Sequence, residues 1–285
     1  MTTTATTPGS VRSADGTEIG YETLGSGEGL ILLGGAWRRG DDYRPLARAL
    51  AHSFAVHLVD RRGRGLSGPQ GPHYSIEREV EDLLAIQAQT GATIVFGHSF
   101  GGLVALEAAR RSSVFSQVVV YEPAVSIDGS LPLGWIAGYR ERLAAGDGRG
   151  AFAVMVRGAG GAPPALERMP LWYVRLVLRL FIRGEQWRDI EPLLEAGLAE
   201  HEQVLAASDK DVYRYRAITA RVVLLAGGKS RARYTEALST RLAAVIPNSV
   251  SELIEGLDHL APSEKAPDLV AERVRRQLAS GAHPG

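Results

Sequence analysis

The run Ile94-Val95-Phe96-Gly97-His98-Ser99-Phe100-Gly101-Gly102-Leu103-Val104-Ala105-Leu106 leaves few folds open, because a short apolar strand, a Gly-x-Ser-x-Gly turn and a helix of small residues follow one another without a spacer. A serine held on so sharp a strand-to-helix turn projects its hydroxyl above the sheet. Glycines must flank it, since a Cβ at those positions would collide with neighbouring backbone. The run reads as a nucleophile elbow with Ser99 as its reactive hydroxyl. The helix that starts here points unpaired amides toward Ser99, so the Phe100 N–H is placed to stabilise an oxyanion. The plainer reading is a glycine-bracketed turn carrying an exposed serine.

The segments around the elbow alternate between strand and helix. Val11 to Leu24, broken by Asp15-Gly16, has the pattern of a hairpin, and Leu30-Ile31-Leu32-Leu33 is a continuous apolar run that suits a strand buried on both faces. Asp41 or Asp42 can cap a helix reaching about Ala51, and Phe54 to Val59 is the next strand. A helix over Ser75 to Thr90, a strand over Thr93 to Phe96, a helix over Ser99 to Arg111 and a strand over Val114 to Tyr121 continue the series. Such alternation predicts an α/β fold, a mostly parallel twisted sheet flanked by helices. From about Asp128 to Tyr215 it stops, and a helical stretch broken by prolines and glycines reads as an inserted cap. The expected division is therefore a core over residues 1–127, a cap over 128–215 and the rest of the core over 216–285. The core resumes with a strand at Arg221 to Ala226, a helix from Tyr234 to Ile246, a strand near Val250 to Ile254 and a last helix from Ser263. Within the cap, Leu171, Val174, Leu178, Phe181 and Ile182 with Trp172 are expected to form one apolar face, and Arg168, Arg175, Arg179 and Arg183 a solvated row on another.

Composition removes several classes of function. Lys plus Arg and Asp plus Glu number 32 each, so no global field draws nucleic acid or an anionic membrane, and a small neutral substrate is the expected partner. The absence of cysteine excludes disulfides, thiolate metal sites and a cysteine nucleophile. The threonine-rich start has neither a basic region nor an apolar core, and no run is long enough to span a membrane, which predicts a cytoplasmic enzyme with a frayed N-terminal tail. Neither a cofactor nor a metal is expected, and oligomeric state is not legible. Gly63-Arg64-Gly65-Leu66-Ser67-Gly68 imitates a dinucleotide loop, but Pro69 and Pro72 follow where a helix is required. Gly228-Lys229-Ser230 imitates the end of a phosphate loop, yet Val223 stands at its first glycine.

A serine hydroxyl needs a base, and imidazole suits neutral pH. Of seven histidines, His259 lies in Gly256-Leu257-Asp258-His259-Leu260, between the final strand and the final helix, on the sheet edge where catalytic loops gather in open parallel sheets. His98 sits inside the elbow, and His52, His57, His73, His201 and His283 lie elsewhere on helices, a strand, loops or the tail. His259 is the candidate base.

With the elbow, the Asp60-Arg61-Arg62-Gly63-Arg64-Gly65-Leu66-Ser67 turn, Tyr121-Glu122-Pro123 and the late His259, the chain resembles the α/β-hydrolase superfamily over nearly its whole length outside the cap. It looks like an actinobacterial-type branch that lacks the usual late Asp. The resemblance implies the α/β-hydrolase fold, a triad and a lid, and names no substrate. Two departures matter. Gly34-Gly35, then Ala36 and Trp37, replace the usual His-Gly, so Ala36 becomes the candidate second oxyanion donor and Trp37 an aromatic pocket wall. In the usual Gly-x-x-Asp slot the chain reads Gly227-Gly228-Lys229-Ser230. The imidazole still needs a carboxylate to fix its tautomer. Glu122, after the preceding strand, can supply it, as in some superfamily members; otherwise it caps or salt-bridges the start of the cap. Asp258 ranks below it as an immediate neighbour of His259, and Asp60 is expected to organise its own turn.

These residues point to a cofactor-independent serine hydrolase acting on an ester, thioester, lactone or related acyl bond of a small, largely apolar molecule. The missing acid slot and missing His-Gly motivate an alternative, a cyclase, lyase or isomerase on the same fold, and a third reading is an inactive ligand sensor. Trp135 and Trp172 join Trp37 as candidate substrate contacts, while Tyr139, Phe152, Met155, Met169, Tyr173 and Trp187 fit either pocket or packing.

Overall fold

Continuous apolar runs can be buried only if both of their faces are covered, and here they lie side by side in the middle of one sheet. The computed structural model describes residues 6–160, 164–208 and 210–280. Its strands are β1 (Thr6–Arg12), β2 (Glu18–Leu24), β3 (Glu28–Leu33), β4 (Phe54–Val59), β5 (Ile94–His98), β6 (Gln117–Tyr121), β7 (Arg221–Gly227) and β8 (Ser249–Ile254). They form one eight-stranded sheet in the order β1-β2-β4-β3-β5-β6-β7-β8. β1 and β2 pair antiparallel and β2 meets β4 antiparallel, while every other pairing is parallel.

Side chains alternate across each strand, which splits the central runs between two cores. Ile31, Leu33, Val95, Val118, Val120, Val222 and Leu224 face α2 (Ile76–Thr90) and α3 (Phe100–Arg111). Leu30, Leu32, Ile94, Phe96, Val119, Tyr121, Val223 and Leu225 face α1 (Arg44–Leu50) and the last helix, α12 (Pro267–Ser280). Between β6 and β7 come α4 (Ile136–Ala144), α5 (Gly148–Gly158), α6 (Pro164–Arg168), α7 (Leu171–Phe181), α8 (Glu185–Ile190) and α9 (Leu194–Ser208), all within the span assigned to a cap. They carry a small core of their own, built on Trp135, Ile136, Tyr139, Phe152, Trp187 and Leu194.

Several local expectations change. β1 begins at Thr6 rather than Val11, its whole length pairing with β2. Neither Asp41 nor Asp42 caps α1, because a 3₁₀ turn over Gly40–Tyr43 precedes it and Asp42 accepts from the Arg39 amide at 2.8 Å. The helix after β7 starts earlier, as α10 (Ala232–Glu236), and widens into a π-helical stretch before α11 (Ala243–Val245). Trp172 and Phe181 leave the apolar face expected for them: Val174 is buried and Leu178 packs inward, but Trp172 and Phe181 point outward. Met1–Ala5, Pro163 and the tail with His283 lie outside the described residues. Among the described residues, no helix is long and apolar enough to cross a membrane, and no group of three or more metal-ligating side chains gathers.

The Arg-rich turn after β4 ties the inserted helices to the core. Asp60 accepts from the amides of Gly40 and Leu66, organising the turn as its position suggests. Arg61 is buried, donating to Glu79 at 2.7 Å, to Glu200 of α9 at 2.9 Å, and to the carbonyls of Gly34 and Gly35 at 3.0 Å each. Arg64 also reaches Glu200. Removing one partner from a buried ion cluster leaves uncompensated charge, so Glu200→Ala is expected to lower unfolding free energy by about 3–5 kcal/mol, read as a lower urea midpoint.

Candidate active site

The elbow is built from close backbone approaches. Ser99 has φ 53° and ψ −116°, a left-handed conformation that a non-glycine residue adopts only when its surroundings hold it there. A Cβ at Gly101 would sit 2.6 Å from the Leu33 carbonyl oxygen, and one at Gly97 would sit 2.7 Å from the Gly102 Cα. The Ser99 amide donates to Tyr121 at 3.0 Å and its carbonyl accepts from Ala124 at 2.8 Å, locking the turn to the end of β6. α3 begins at Phe100, leaving the first amides of that helix without intrahelical partners.

Glu122 follows β6 with φ 45° and is almost fully buried, so its carboxylate needs partners on both oxygens. Oε1 accepts from the Gly227 amide at 2.8 Å and from the Ser230 hydroxyl at 2.6 Å, and Oε2 lies 2.8 Å from His259 Nδ1. Three loops, after β6, β7 and β8, thus meet on one carboxylate. Ser230, in the slot where an acid is usual, holds the Glu122 side chain instead. The Asp258 carboxylate is engaged elsewhere, accepting from the Leu260 amide at 3.0 Å and from Lys265. Tyr121 donates to the Asp258 carbonyl at 2.9 Å, which steadies the His259 loop from below.

The His259 ring stands 4.7 Å, centre to centre, from that of His98, the neighbour of Ser99. Sequence reasoning missed the role of this second histidine and of Tyr43. The Tyr43 hydroxyl accepts from the Gly35 amide at 2.8 Å and lies 2.6 Å from His98 Nδ1. Burial pushes the Tyr43 phenol up to about 12, so it keeps its proton, and with its oxygen already accepting from Gly35 that proton is available to His98 Nδ1. The Gly35 amide is thereby engaged by Tyr43. A Cβ on Gly34 would lie 2.5 Å from the Tyr43 ring, which leaves room only for glycine where histidine is usual, and a Cβ on Gly35 would lie 3.1 Å from that of Ser99.

Burial holds the His98 imidazole well below its usual range, helped by the neighbouring His259 and Arg38. An unfolded imidazole takes up a proton near about pH 6.5, and this native one does not. The stability it confers is therefore complete above that pH and lost as pH falls below it, at up to about 1.4 kcal/mol per pH unit. Urea unfolding from neutral pH to about pH 5 should show that loss, to which His57 and His201, also lowered by burial, add, and His98→Asn should reduce it without abolishing it.

Trp37 has φ 54° and stacks on His201 at 4.2 Å, with Trp135 at 5.8 Å and its indole N–H on the Tyr139 hydroxyl at 3.2 Å. Trp37 and Trp135 thus join the loop after β3 to α4 and α9. Tyr139, Phe152 and Trp187 fall in the packing of the inserted helices, with Met155 packed against it. Trp172, expected as a substrate contact, is 69% exposed with Tyr173 as its ring neighbour, and Met169 is also exposed. Its place on the outer side of α7 was invisible in a helix whose two sides are both apolar.

The sequence profile of the Alpha/beta hydrolase family matches residues 30–273. The crystal structure of an alpha/beta hydrolase from Sphaerobacter thermophilus superposes with a TM-score of 0.79 at 32% identity, covering 95% of this chain and all of that one. A thermophilic esterase from Thermogutta terrifontis superposes with a TM-score of 0.70 at 20% identity over 96% of this chain and 98% of its own, a likeness of fold alone. Among curated proteins, the pimeloyl-[acyl-carrier protein] methyl ester esterase of Chromobacterium violaceum is 41% identical over 90 residues, 32% of this chain. That match spans about a third, 34%, of the relative's length.

Proposed function

Because the chain belongs to the alpha/beta hydrolase family, we propose that it is a cofactor-independent serine hydrolase cleaving an ester, thioester, lactone or related acyl bond of a small, largely apolar molecule. In this reading the Ser99 hydroxyl attacks the carbonyl carbon while His259 takes its proton, and Glu122 fixes the imidazole so that Nε2 is the basic nitrogen. The amides of Phe100 and Ala36 receive the oxyanion, and His259 returns the proton to the leaving group. Water, activated by the same imidazole, then releases the acid from the acyl-enzyme.

The observation that carries the reading is the bond between His259 Nδ1 and Glu122, with Ser230 and Gly227 supporting the carboxylate from behind. The cyclase, lyase or isomerase alternative drew on the missing acid slot and the missing His-Gly; the carboxylate beside the imidazole answers the first of these, and the hydrolytic reading is favoured over it and over an inactive sensor on that ground. Trp37 and Trp135 are the aromatic wall in this proposal, and a location in the cytoplasm belongs to it too. The esterase names among its relatives support an ester as the first substrate class to try.

The test is a panel of short-chain p-nitrophenyl esters alongside a fluorophosphonate probe. Wild type should hydrolyse the esters and take up one probe, and Ser99→Ala should do neither. Failure of wild type to react with any of them would remove the proposal.

A further inference from the structure

The even overall charge hides a local asymmetry on the inserted helices. From Arg168 to Gly184 the chain carries four arginines and no carboxylate or lysine. In α7 the inward side is covered, with Val174 buried and Leu178 packed on the local core. The outward side is also apolar: Trp172, Leu176 and Leu180 recur every fourth residue and are about half exposed or more. Solvent contact over such a ridge is unfavourable, and a contiguous exposed patch of this kind marks an interaction surface.

Beside the ridge runs a groove of about 470 Å³ lined by Arg149, Arg179 and Arg183 together with Leu176 and Leu180. Arg149 is anchored over the Trp187 ring at 4.1 Å and donates to the Ile182 carbonyl at 3.2 Å. Arg175 is tied to Asp147 at 2.9 Å, a partner from α5's N-terminal side rather than from α7. The groove therefore offers guanidinium groups next to aliphatic side chains, the pairing an amphiphilic anion needs.

We propose that α7 and this groove form a docking surface for a bilayer rich in anionic phospholipid, with Trp172, Leu176 and Leu180 entering the headgroup boundary and Arg179 and Arg183 meeting lipid phosphates. Tryptophan and arginine both favour that boundary, and a helix with a protruding apolar side and a cationic edge lies in its plane. Side chains that project from a convex helix suit a soft, deformable layer. A second copy of the chain brings no carboxylate between Arg168 and Gly184 to meet the arginines, only Glu167 and Glu185 at the ends of the segment.

The experiment is co-sedimentation of the full chain with vesicles of phosphatidylcholine alone or mixed equally with phosphatidylglycerol. Wild type should bind the mixed vesicles at least about tenfold more tightly than the zwitterionic ones, lose that preference in high salt, and shift its tryptophan emission to the blue. Leu176→Glu with Leu180→Glu, and separately Arg179→Glu with Arg183→Glu, should each cut binding by about tenfold or more, with unchanged circular dichroism. Ser99→Ala should bind as wild type, since docking does not depend on the hydrolytic reading. No preference for anionic vesicles, or equal binding by the leucine variant, would overturn the proposal. So would sedimentation showing a dimer that the leucine variant dissolves, or capture of polyglutamate in place of vesicles.

Discussion

Ser99→Ala is expected to lower kcat on an activated ester by about 10⁶-fold while the fold persists, the scale seen when a serine nucleophile that works as a unit with its base is removed. The loss should fall on kcat, with KM little changed, because the hydroxyl acts only as the bond forms. Stability should not fall with it: a left-handed serine stores strain, and alanine at the same angles stores a similar amount. Steady-state kinetics beside a urea titration separate the two. Activity within about tenfold of wild type would show that Ser99 is not the attacking group.

Glu122→Gln is expected to cost about 10⁴-fold in kcat. The amide keeps the volume and its oxygen can still accept from Gly227 and Ser230, but it then presents an N–H to His259 Nδ1 in place of charge. The imidazole then loses both the tautomer that leaves Nε2 basic and the stabilisation of its protonated form. Ser230→Ala removes only one support of the carboxylate and should cost about tenfold, the effect of one charge-assisted hydrogen bond. Such a ranking, Glu122 well above Ser230, distinguishes an acid that acts on the imidazole from a residue that merely braces the β7 loop.

The residues that met at the site were legible to different degrees, for physical reasons. Ser99 announced itself because a local turn requires glycine on both sides, and His259 because a strand and a helix bracket its loop. Glu122 was nameable once the slot at Ser230 read as a hydroxyl; that this hydroxyl would grip the carboxylate was not, since nothing local links residues 122 and 230. The Tyr43 to His98 bond joins positions 55 apart, and the Arg61 to Glu200 bond positions 139 apart, and no periodicity encodes such contacts. α7 shows a different limit. Helical spacing says which residues share a side, but when both sides are apolar it does not say which one the neighbours cover, so Trp172 and Phe181 read as packing and stand exposed.

The most direct measurement is peptide mapping by mass spectrometry after rapid mixing of wild type with p-nitrophenyl acetate and acid quench within the first turnover. One acetyl group is expected on the peptide that contains Ser99, formed in step with a burst of p-nitrophenol and absent from Ser99→Ala. Steady turnover with Ser99 unmodified, or the acetyl group on another side chain, would contradict an acyl-enzyme on Ser99.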